Sequence, residues 1–107
     1  VKAEHDLRYN RIMNNEERLS FEAADKKVHP VETQWHYPIM LRNGFDAVTQ
    51  EGIGFVRSYV YVNPRSMRSI VCTTGSSSDY WTDAKTKKMG YWRDLEPYLV
   101  KLNGEQA

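Results

Sequence analysis

Cysteine is all but absent from this sequence, in which Cys72 stands alone. A single thiol excludes an internal disulfide, leaves metal ligation to His, Asp and Glu, and points to a reducing, cytoplasmic setting. Long hydrophobic runs are missing as well. No apolar stretch approaches the ~20 residues that cross a bilayer, and the opening "VKAEHDLRYN" lacks the apolar core of a secretion signal, so a soluble protein with no membrane partner is expected. Nor does one sign of charge dominate. Fifteen Lys and Arg stand against fourteen Asp and Glu, a formal net charge of +1, which removes the whole-chain positive field of a dedicated nucleic-acid binder. The histidines, His5, His29 and His36, are far apart and lack the H-x-x-x-H or C-x-x-C spacing that sets two ligands on one face. No metal, cofactor or catalytic residue is assigned on these grounds.

What remains is 107 residues, 40% of them hydrophobic, enough for the core of one domain and too few for two. Residues 1–30 are rich in helix formers and lack Gly and any Pro before Pro30, so a helical arm is expected there, broken at Asn14-Asn15 with Asn14 capping a second helix and Glu17 completing the box. Its apolar residues, among them Leu7, Ile12, Leu19 and Phe21, form no continuous stripe, and such an arm buries little by itself.

From Thr33 the apolar period shortens to two and the residues turn aromatic and β-branched. Residues 31–75 therefore read as an antiparallel meander of about four strands: "TQWHYPIML", "FDAVTQ", "IGFVRSYVYV" and "MRSIVCTT". Asn43-Gly44 serves as the first hairpin turn and Asn63-Pro64-Arg65-Ser66 as the last. Pro38 puts the first of these strands at an edge.

Residues 76–107 read as two helices packed on one sheet face. In "TTGSSSDYWTD" the glycine turns the chain and Ser78 or Asp79 caps the helix "YWTDAKTKK", with its lysines toward the negative end of the helix dipole. A phosphate cradle would need G-x-x-x-x-G-K-[ST] and a helix start free of acid, and a nucleophilic serine would need a base that the neighbouring residues do not supply. The second helix lies in "GYWRDLEPYLVKLNG", where Tyr91, Trp92, Leu95, Tyr98, Leu99 and Leu102 recur at helical spacing and Asn103-Gly104 marks the end. Trp81, Trp92, Leu95 and Leu99 are expected to pack these helices on the sheet.

The fold class is thus α+β, and the function expected first is that of a small non-enzymatic interaction, assembly or regulatory protein, of the sort phages and mobile elements encode. Its surface is assigned to Trp35, His36 and Tyr37 on the exposed edge strand, residue types common at interface hot spots, with a second copy as partner, a dimer, or else a different protein. Nucleic-acid binding is the alternative. Phe55, Arg57, Tyr59 and Tyr61 share one strand face, and with Arg65 and Arg68 they could stack bases and hold phosphates, unless that face lies beneath the helices. An enzyme with a dispersed site comes third. A Cys72–His36 nucleophilic pair would require the first and last strands to be neighbours.

Overall fold

The structure, a computed structural model, describes residues 24, 26–53, 55–75 and 79–106. The chain divides into residues 1–30 and residues 31–107. Most of the expected helical arm, with the Asn14 cap and His5, lies outside the described residues, as does Ser78; residues 26–28 are helical.

Residues 31–107 form an α+β unit. A 3-10 turn (Val31–Thr33) leads into helix α1 (His36–Arg42), followed by strands β1 (Asp46–Ile53), β2 (Val56–Val62), β3 (Ser69–Thr74), β4 (Tyr80–Asp83) and β5 (Met89–Tyr91), and by helix α2 (Trp92–Gln106). The five strands make an antiparallel meander in the order β1-β2-β3-β4-β5. An irregularity between Ala47 and Thr49 leaves Val48 unpaired on β1, a bulge that interrupts this edge.

"TQWHYPIML" is not a strand. Pro38 is the third residue of α1, in the first turn, where a missing N–H costs nothing and a fixed φ suits the helix. His36 and Met40, four residues apart, are its buried residues. The helix then ends on the very Asn-Gly pair that suggested a hairpin. Gly44 (φ +86) donates its N–H to Leu41 O at 3.0 Å and Phe45 donates to Met40 O at 3.0 Å, the pattern of a Schellman cap. Phe45 and Met40, the residues this cap brings together, both belong to the buried core.

"YWTDAKTKK" is not a helix either. Trp81 and Asp83 point into the core while Tyr80 and Thr82 alternate with them, which is strand periodicity. Asp83 Oδ1 accepts the backbone N–H groups of Lys85 (2.9 Å) and Thr86 (3.3 Å), closing the turn into β5, and Lys87 takes a φ of +65 there. The sheet consequently has five strands instead of four, and one C-terminal helix instead of two.

Trp81 pairs across the sheet with Gly90, and a Cβ on that glycine would lie 2.5 Å from the Trp81 ring. The absent side chain lets the indole lie over β5, donate to Tyr91 O at 2.9 Å and stack on Tyr98 at 4.6 Å. Helix α2 faces the sheet with Leu95, Leu99 and Leu102, which join Met40, Phe45, Tyr59, Tyr61, Ile70, Cys72 and Trp81 in one buried cluster. Trp92 is the first residue of α2 and, although it shares the helical spacing of Leu95 and Leu99, it is 55% exposed and stands outside the buried cluster. The helix passes through Pro97 and continues beyond Asn103-Gly104 to Gln106. Among the described residues no helix is long and apolar enough to cross a membrane.

Candidate interaction face

Strand alternation and register sort the sheet into two faces. On the core face one row runs Gln50, Tyr59, Cys72, Trp81, Gly90, and another includes Tyr61, Ile70 and Asp83. On the opposite face the rows are Glu51, Ser58, Thr73, Tyr80, Tyr91 and Thr49, Val60, Val71, Thr82, Met89, with Asp46, Val62 and Ser69 beyond them. The apolar side chains of α1 and α2 enter the core cluster on the first face, and no described member of that cluster lies on the second, where Thr73 alone is buried.

The open face is apolar and hydroxylated. Val60, Val62 and Val71 are half-buried, whereas Met89 and Tyr91 on β5 are 59% and 61% exposed. Ser58 and Thr73 hydroxyls lie 3.3 Å apart across β2 and β3. Among the described residues of these rows the only carboxylates, Asp46 and Glu51, stand on the β1 edge, and there is no Lys or Arg.

The surfaces expected from sequence are built differently. Helix α1 turns Trp35, His36 and Tyr37 toward the core: His36 is fully buried, and Trp35 and Tyr37 pack partly buried against the core cluster. Trp35 donates its Nε1–H to Asp79 Oδ2 at 2.9 Å, and its ring meets His36 edge-on at 5.2 Å. An edge-strand interface centred on these three residues is therefore corrected. They are anchors of α1, because a helix at this place points His36 and Met40 inward together.

The aromatic-arginine face is corrected too. Tyr59 and Tyr61 are buried beneath the helices and cannot stack bases. Arg57 is half-buried in the same strand, and Arg68 forms a salt bridge with buried Asp83. Arg65 is exposed in the β2–β3 turn, and Phe55 is 90% exposed at the β1–β2 hairpin. These six residues form no common surface.

Two polar clusters lie within the core. His36 Nδ1 is 2.6 Å from the Tyr61 hydroxyl, and the His36 ring is 5.0 Å from that of Tyr59. Burial pulls the His36 pKa from its ordinary 6.5 down to about 4, against a smaller upward pull from Asp79, and burial also raises Tyr61. The pair is closed to solvent and holds the aromatic layer together. Burial pushes the Cys72 thiol up to about 12, so it supplies no thiolate at neutral pH, and a Cys72–His36 nucleophile has no basis here. In the second cluster Asp83 Oδ2 accepts from Arg68 Nη2 and, at 2.5 Å, from the Tyr98 hydroxyl. Burial pushes the Asp83 carboxyl up, but the hydrogen bonds from Tyr98, the Lys85 and Thr86 amides and Arg68 together outweigh it and hold it below the usual range. Among the described residues no three His, Cys, Asp or Glu side chains are grouped to hold a metal ion.

His36 makes stability depend on pH. Its folded pKa is depressed, so the unfolded chain takes up the proton first: stability is unaffected above about pH 6.5 and falls as pH drops toward 4. Imidazole resonances of His36 that fail to titrate between pH 7 and 5 are the expected result. A midpoint near 6.5 would show that the ring reaches water.

The open face was half legible. The alternation of Val56, Ser58, Val60 and Val62 is plain in the sequence, but which side the helices take is not. Comparison of the chain with protein-family models, with curated proteins and with solved structures gave no match.

Proposed function

We propose that this chain is a non-enzymatic interaction protein that binds another protein surface through the open face of its sheet. One observation carries this reading: α1 and α2 pack on one face, and the other presents an unbroken Thr49-Val60-Val71-Thr82-Met89 row with no cation in it. Charge-poor patches with exposed Met and Tyr are the composition of interface cores. The acidic border formed by Asp46 and Glu51 repels a phosphate backbone, which favours a protein partner over nucleic acid. The ionisable groups His36, Asp83 and Cys72 are committed to the interior, which leaves them no role at this face.

A photoreactive amino acid at position 71, compared with one at position 100 on the solvent side of α2, tests the assignment in living cells. Covalent protein adducts from position 71 and none from position 100 are expected. Equal labelling, or none at 71, removes the reading.

A further inference from the structure

We propose that the partner of the open face is a second copy of this chain, related by a two-fold axis parallel to β3, so that each subunit's β1 lies over the other's β5. The inference rests on the interaction reading above and adds the identity and geometry of the partner. Its basis is the distribution of charge around the face.

Asp46 begins β1 opposite Val62, which pairs with Ser69 at the start of β3. Ala84 donates its N–H to Ser69 O at 3.0 Å, which sets the β4–β5 turn at this same end of the sheet. That turn carries Lys85 and Lys87, both exposed. One end of the sheet therefore has an acid at its β1 corner and bases near its β5 corner. Toward the other end, Glu51 and Tyr91 stand at opposite extremes of one cross-strand row, with the Ile53–Val56 pair of β1 and β2 beyond it.

Two sheets packed face to face with a closed two-fold have two simple choices of axis within the interface plane. With the axis across the strands, β1 lies over β1 reversed, and Asp46 meets the partner's Glu51, acid against acid. With the axis along β3, Asp46 meets the partner's Lys85 and Lys87, and the Tyr91 hydroxyl meets the partner's Glu51. Only the second arrangement is complementary, and it occurs twice in the dimer. Val71, in the middle strand, sits close to the axis, so the Val60-Val71 row becomes the dry centre and the charged corners become the rim. Rim charges of this kind set register and exclude the wrong pairing.

Sedimentation equilibrium of the full chain from micromolar to millimolar concentration tests this, with thermal melts as a check on folding. The expected result is a reversible monomer–dimer equilibrium. Val71→Arg should abolish the dimer while the melt is retained, since Val71 is only half-buried in the monomer. Asp46→Lys should weaken it about tenfold by placing like charges in contact twice, and adding Lys85→Glu and Lys87→Glu to that variant should restore it. A monomer at every concentration overturns the self-pairing, whether residues 1–30 or a different protein then occupy the face. A dimer indifferent to Val71→Arg, or one that the charge reversal fails to rescue, overturns it equally. If the chain is monomeric and position 71 still crosslinks to a different protein, the self-pairing falls and the interaction reading stands; no crosslink from position 71 removes both.

Discussion

Replacing Asp83 with alanine is expected to lower stability by about 3–5 kcal/mol, the range for removing one partner of a buried ion pair. Asp83 is fully buried, and the Arg68 side chain it pairs with is only 12% exposed. The substitution leaves a guanidinium without its counter-charge, a Tyr98 hydroxyl without its acceptor, and the Lys85 and Thr86 amides of the β4–β5 turn without theirs. It therefore loosens the core and the entry to β5 together. The same pair is sensitive to acid. Because the folded-state pKa of Asp83 is depressed, its contribution is present above the ordinary aspartate value and is lost as pH falls through the lower folded value. Urea titrations at neutral pH check the first claim, and a loss under about 1 kcal/mol would mean that Arg68 finds water instead.

Leu99→Ala should cost about 2–5 kcal/mol, as large-to-small changes at sealed core positions do. Leu99 has no exposed surface and lies between Leu95 and Leu102 on the face of α2 that enters the aromatic layer. The bulky members of the same buried cluster are poorly placed to fill the gap. Trp81 is held by its bond to Tyr91 O and its stacking on Tyr98, and Tyr61 by its contact with His36, so a cavity remains. Leu95→Ala should behave alike, whereas Val100→Ala, on the exposed side of the same helix, should change stability by less than about 0.5 kcal/mol. Denaturation midpoints of the three variants distinguish a one-sided helix from a helix buried all round.

The elements that sequence reasoning located well are those in which local pattern and tertiary environment agree. "FDAVTQ", "VRSYVYV" and "SIVCTT" alternate and are strands in register, and Leu95, Leu99 and Leu102 recur at helical spacing and lie in the core. The two errors have a shared cause. "WHYPIML" is short and aromatic enough for a strand, yet Pro38 fits a first helical turn and Gly44 a helix end, and the seven residues are decided by the burial of His36 and Met40 against Tyr61 and Phe45. "YWTD" and "MGY" carry helix-compatible charges around them, yet the chain spends them on a hairpin, because Asp83 closes the turn and Gly90 leaves room for Trp81. In both places the local preference is nearly balanced, and contacts with residues distant in sequence tip it.

The candidate face divides in the same way. By itself the sequence determined that this is a small α+β chain with an antiparallel meander, a C-terminal core helix and no cysteine pair, since periodicity, turn residues and composition act over a few neighbours. It also determined that β2 has a valine side and a tyrosine side. Only the tertiary structure decided that the tyrosine side is the core and the valine side the open surface, because that depends on where α1 and α2 land, and α1 was not recognisable as a helix. The position of charge around that surface was equally out of reach: Asp46 and Lys85 are 39 residues apart in sequence, and only strand register sets them at the same end of one sheet.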